Sequence, residues 1–351
     1  MPIDRRVAPL VVMLVVAGCS TPERAVGPQP DAPDPRLTGS VLAMREAAVG
    51  DSGTLFAVQL PGGQATELQL PPEADLVVDA FWAETGERAH ALVETGRGLR
   101  LYEVSRSGPA RRVGPALEGS ADDGVMAAGE RVLVTCPGRR GAFVLDLDDP
   151  RRWRKVAPGC SAGLSPDGRK VVYSGDGRVV WQRPLEGDGA PRRVVSLAEI
   201  ARSVGSPRLT LEGEIAWGAQ GIALAARSGG RTVIAVVRPD GDIVAERVGG
   251  VSERSAYQLR WQPEGPLLGV GGSTGGYVDT VGVVRSLNPA SGASRVLSMF
   301  TDPFVDVVWS PAGDVFVSGY DEWTFVTPSG RWIDQLPSPR GFPLDWAAAG
   351  A

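Results

Sequence analysis

A single histidine, His90, two lysines, Lys155 and Lys170, and three cysteines are all that 351 residues contain of those types. Zinc centres built from several imidazoles, and Ser-His or Cys-His relays anywhere except around His90, are therefore excluded. Aromatic residues make up only 6% of the chain, and the net charge is −5, without the excess of positive charge that nucleic-acid binding requires. What the chain has in quantity is glycine and proline, 46 and 29 residues, scattered without a collagen-like period. With 43% hydrophobic residues it is too apolar for disorder, and its breakers are too frequent for long helices. A turn-dense, mostly β protein is expected.

The first residues read as an export address. Two arginines end the segment Met1–Arg6, an apolar run follows from Val7 to Gly18, and the run stops at Cys19. Twelve residues of helix span roughly 18 Å, short of the ~30 Å hydrocarbon core, so a cleaved signal fits better than a membrane span. Val16-Ala17-Gly18-Cys19 resembles the bacterial lipobox, in which the cysteine receives a diacylglyceryl group and becomes the mature N-terminus. Residues 1–18 are thus expected to be a lipoprotein signal peptide with Cys19 the lipidated residue, and residues 19–36, rich in proline, an extended tether.

Through residues 37–351 one pattern recurs: an apolar stretch ending in a bulky residue, a tight polar turn containing glycine, and a second apolar β stretch. Its anchor falls at Trp82, Met126, Leu164, Trp217, Trp261, Trp309 and Trp346, which includes five of the nine tryptophans. Successive anchors are 44, 38, 53, 44, 48 and 37 residues apart. A four-stranded propeller blade takes ~40–45 residues, so the spacing predicts an all-β, seven-bladed β-propeller over 37–351. The last anchor has five residues after it, whereas Val41–Arg45, Thr54–Leu60 and Ala65–Leu70 supply three β stretches with no anchor before them. The C-terminal strand is therefore expected to become the innermost strand of the N-terminal blade and close the ring.

Trp309-Ser310-Pro311-Ala312-Gly313 and Leu164-Ser165-Pro166-Asp167-Gly168 each stand one substitution from W-S-P-D-G. In this the chain resembles the propeller repeats of the TolB and WD40-like (PD40) families, a resemblance that implies fold far more than function. It also resembles the propeller portion of lipoproteins that accompany two-component sensor kinases in high-GC Gram-positive bacteria, without the additional ligand-binding domain that precedes the propeller there.

Several segments imitate catalytic or metal motifs. Gly271-Gly272-Ser273-Thr274-Gly275 matches G-x-S-x-G, but that nucleophile elbow needs a helix after it, and Tyr277–Arg285 reads as a strand. A glycine hairpin is the expectation, and for the same reason Gly269–Gly276 is not expected to cradle phosphate. His90, between two alanines in a β stretch, reads as a packed or surface residue. Asp146, Asp148 and Asp149 lack the spacing of an EF-hand loop and read as a polar strand end, so no metal is expected. Ser196-Leu197-Ala198-Glu199 is a capping box that starts a short helix through Val204, either filling a gap between blades or decorating a partner-binding face. Cys136 and Cys160, the thiols left once Cys19 is modified, are expected to pair in an oxidising compartment.

One basic cluster stands out: Arg151, Arg152, Arg154 and Lys155 around Trp153, with Arg139 and Arg140 nearby in sequence. It reads as a solvated face that an acidic partner or anionic lipid headgroups would meet. Taken together, the expectation is a propeller anchored on the extracytoplasmic side of a bacterial cell membrane, without cofactor. It would bind an unidentified envelope protein or ligand rather than nucleic acid, and it would not be an enzyme. The alternative is an enzyme of lactonase, glycosidase or quinoprotein type, whose active site would gather carboxylates around the propeller axis.

Overall fold

A computed structural model of the chain describes residues 33–45, 53–83, 86–119, 125–128, 131–139, 141–187, 189–229, 231–248, 258–274, 281–300, 306–337 and 341–348. The expected signal peptide, Cys19 and most of the expected tether lie outside the described residues.

The described strands form seven four-stranded antiparallel sheets arranged in a ring, a seven-bladed β-propeller. Blade 1 is composite: Phe342–Ala347 pairs with Gly39–Arg45, which continues into Thr54–Leu60 and Gln64–Leu68. The other blades follow in chain order, and their first strands are Leu76–Trp82, Val125–Ala128, Ser161–Leu164, Thr210–Gly218, Gln258–Trp261 and Val308–Trp309. From blade 7 through blade 1 to blade 6, first strands of neighbouring blades touch one another, which makes them the axial strands. The chain ends meet as the anchor spacing predicts, with Val41 opposite Trp346 and Ser40 opposite Ala347. That pairing removes the free sheet edge a linear array would leave.

Because every blade is covered on both faces, its middle strands are apolar throughout rather than alternating, as in Thr54–Leu60 and Gly221–Ser228. The core is accordingly divided into seven apolar seams, one between each pair of neighbouring blades. Anchors pack backwards: Trp82 lies in the seam with blade 1, Leu164 with blade 3, Trp217 with blade 4, Trp261 with blade 5, Trp309 with blade 6 and Trp346 with blade 7. Met126 belongs to an axial strand, and its side chain lies outside the described residues.

The turn after an anchor is fixed by its serine. Ser310 Oγ accepts the N–H groups of Asp314 and Val315, both at 3.1 Å, while Gly313 N–H donates to Ser310 O and takes a φ of +72° that a Cβ would resist. Ser165 and Gly168 repeat this arrangement.

Two expectations gain detail. The glycine run belongs to a hairpin: Gly269, Gly271 and Gly272 lie in its first strand, Leu268–Thr274, which pairs antiparallel with Val281–Asn288, and residues 275–280 lie outside the described residues. Packing accounts for Gly269. A Cβ there would stand 2.7 Å from a ring carbon of Phe316 and 3.2 Å from the indole nitrogen of Trp309, whose rings stack with centroids 3.6 Å apart. For the helix, Leu197–Ser203, the structure selects the gap-filling alternative. Leu197, Ile200 and Ala201 are buried in the seam between blades 4 and 5, so it fills a gap at the outer strands.

Candidate functional site

Two regions concentrate polar groups: the axial strands and the seam between blades 3 and 4. On the axis, Asp345 precedes the anchor Trp346. Its carboxylate accepts the backbone N–H of Trp82 from blade 2 and that of Trp346, each at 2.8 Å. Burial pushes this carboxyl above its usual range, opposed by the two N–H donors and by the charge of Arg260 on blade 6. One oxygen thereby joins blade 1 to blade 2, and the other holds the carboxylate in place on its own strand.

Three residues before the anchor, six of the seven blades carry a polar residue in sequence, Asp79, Asp123, Ser161, Glu214, Gln258 and Asp306; Asp123 and the side chain of Glu214 lie outside the described residues. The anchor spacing alone does not reveal this position, which stands just upstream of the anchor. Of these, Gln258 serves the ring, its side-chain oxygen accepting Val307 N–H from blade 7 at 3.4 Å. Among the described residues no group of three or more His, Cys, Asp or Glu is placed to hold a metal ion. His90 is buried within blade 2, its ring 5.2 Å from Phe81, and burial lowers its pKa.

At the other region the structure takes the sequence cluster apart. Arg151 is 86% exposed and pairs with Asp149 at 2.7 Å in its own turn. Trp153 turns inward, and its indole donates to Pro115 O of blade 2 at 3.0 Å. Arg152 and Lys155 are exposed. Arg154 crosses to blade 4, where its guanidinium donates to Leu185 O. Its pKa is lowered first by burial and then by the charges of Arg131, Arg183 and Arg152. Arg131 also crosses, donating to Gly168 O at 2.7 Å and pairing with Glu186 of blade 4, while Asp146 of its own blade lies 3.6 Å away. The group that forms is therefore Arg131, Arg152, Arg154 and Arg183, drawn from two blades. The side chain of Arg139, and Arg140 altogether, lie outside the described residues.

This seam also holds the disulfide. Cys136, at the end of the second strand of blade 3, is bonded to Cys160, just before the axial strand of blade 4, with Cα atoms 4.7 Å apart.

The architecture is that of a seven-bladed β-propeller, and solved structures agree with it at the level of the fold. The chain is similar to a β-propeller domain, Cps50 (Swd1), from Myceliophteria thermophila, with 13% identity and a TM-score of 0.50 over 78% of this chain and 89% of that one. It is also similar to a putative 6-phosphogluconolactonase from Bacteroides fragilis, with 11% identity and a TM-score of 0.55 over 90% and 99%. TolB from Acinetobacter baumannii matches with 16% identity and a TM-score of 0.48, covering 88% of this chain but only 66% of TolB. By sequence, no protein-family model and no curated protein matches the chain. No helix among the described residues is long and apolar enough to cross a membrane.

Proposed function

We propose that this protein is an exported lipoprotein of the TolB and PD40 propeller kind, held at the cell envelope through Cys19, and that it works there as a non-catalytic binding module. The observation that carries the non-catalytic reading is Asp345. The axial carboxylate that burial perturbs is occupied on both oxygens by backbone N–H groups, so it serves ring closure rather than a reacting group. Supporting the export reading are the lipobox at residues 16–19 and a disulfide, which suits an oxidising compartment. The resemblance to a putative lactonase shows the shared fold alone.

Binding is assigned to the loops at one face of the ring, since strands hold the scaffold and loops meet partners. In blade 4 the turn around Arg169 and the turn around Arg178 lie at opposite ends of the strand Lys170–Ser174, and both residues are exposed. Photocrosslinkers at these two positions of the full chain, activated in intact envelopes, report on the two faces. A protein adduct from one position alone is expected; adducts from neither position would overturn the reading. In the same cells Cys19→Ala should leave the membrane fraction for the soluble or unprocessed pool, and unchanged membrane partition would overturn the anchor.

A further inference from the structure

The geometry points to a binding site for a phosphate-type oxyanion in the seam between blades 3 and 4, formed by Arg131, Arg152, Arg154 and Arg183. Like charges do not gather beside one another without a return. Arg154 keeps much of its surface in water, its guanidinium is held on Leu185 O, and partial burial together with the charges of Arg131, Arg183 and Arg152 lowers its pKa. Two carboxylates answer them, Asp146 and Glu186, and both are turned to solvent, 43% and 76% exposed, with Arg131 as their shared partner. Four cations against two anions leave a surplus of about two positive charges, which a phosphate group carrying ≈ −1.5 to −2 would neutralise.

Arg183 supplies the independent observation. It sits in the strand Val179–Pro184, opposite Val171, and its Nε is fully buried with no hydrogen-bond partner. A buried N–H on a charged group left without an acceptor costs the full desolvation of that donor, so native proteins rarely leave one. Arg131 and Arg154 spend donors on the carbonyls of Gly168 and Leu185, which fixes their heads at the seam, while Arg183 and Arg152 donate to no described group. A tetrahedral oxyanion is the acceptor that matches such a set, because the planar guanidinium fork takes two phosphate oxygens at once. Free phosphate and the phosphodiester of a lipid headgroup both present oxyanion oxygens to the fork, the diester with one negative charge and so half the neutralisation, and the site stands independently of whether Cys19 is lipidated.

The detergent-solubilised full chain is titrated calorimetrically at low ionic strength with inorganic phosphate and with glycerophosphoglycerol, the diester headgroup without its acyl chains. Arg183→Gln and Arg152→Gln are expected to weaken binding about tenfold. Arg111→Gln, which removes the same charge from a 72% exposed side chain of blade 2, should bind as the parent does. Saturable binding of inorganic phosphate identifies a free-phosphate site, and binding of the diester alone identifies a headgroup site. Absence of binding by either probe, or equal losses in Arg111→Gln and Arg183→Gln, would overturn the site. Thermal melts without ligand keep the reading clean: Arg152→Gln should melt near the parent, and Arg183→Gln, which removes a buried donor without a partner, should melt no lower than the parent.

Discussion

Single residues that hold this molecule together are mostly polar groups placed at backbone termini. Ser196 is the plainest: its hydroxyl accepts Glu199 N–H at 3.3 Å, and the Glu199 carboxylate accepts Ser196 N–H at 2.7 Å. Those hydrogen bonds, with Arg193 beside them, hold Glu199 at a pKa of about 2. A depressed carboxylate contributes stability above its unfolded pKa of ~4.3 and loses it as the pH falls toward 2. Glu199→Gln should therefore lower the melting temperature at pH 7 and converge on the parent as the pH drops from 5 toward 2. Ser196→Ala should cost ~1 kcal/mol in urea unfolding at pH 7, the ordinary worth of an N-cap. A Glu199→Gln deficit that stays constant with pH would show that the carboxylate's charge plays no part.

Among elements, the blade seams differ in how they are fastened. Trp82, Trp261 and Trp309 each donate an indole N–H across a seam, to Ser40 O, Ala216 O and Arg260 O at 2.9, 3.1 and 2.9 Å. Blade 4 has Leu164 as its anchor, so its anchor position has no indole to give. Its seam with blade 3 is fastened by other means: the Cys136–Cys160 disulfide, Arg131 on Gly168 O and Arg154 on Leu185 O. The cysteines are 24 residues apart, and closing a loop of that size in the unfolded chain is worth ~3 kcal/mol in the chain-entropy account. Reduction, or the Cys136→Ser/Cys160→Ser pair, is expected to lower unfolding free energy by about that amount. Under denaturing, non-reducing conditions neither of these two cysteines should react with a thiol reagent, and two reactive thiols would refute the bond.

At the scale of the whole molecule, closure is the decisive contact. Trp346 packs in the seam between blades 7 and 1 and donates its indole N–H to Thr38 O at 2.8 Å, across 308 residues of sequence. Asp345 reaches blade 2 across 263. Removing residues 341–351 would strip the axial strand from blade 1, expose the edge of Gly39–Arg45 and orphan the N–H of Trp82. The truncated chain should lose its single cooperative unfolding transition in calorimetry. A truncation that melts like the parent would mean the ring does not depend on this clasp.

By itself the sequence determined whatever is periodic or local. Repeat length set the number of blades, unpaired β stretches at one end and a lone anchor at the other set the closure, and Ser-Pro-Asp-Gly and Ser-Leu-Ala-Glu carried their own turn and cap chemistry. The tertiary structure decided what depends on distance between residues far apart in the chain. Arg151 to Lys155 read as one patch because they are consecutive, yet a turn, an inward tryptophan and the alternation of strand side chains send them to different neighbours. Arg183 joins Arg131 and Arg154 only because blade 4 lies against blade 3. Gly269 imitated a phosphate loop for a reason no local pattern carries: two aromatic rings of the next blade occupy the space its side chain would need.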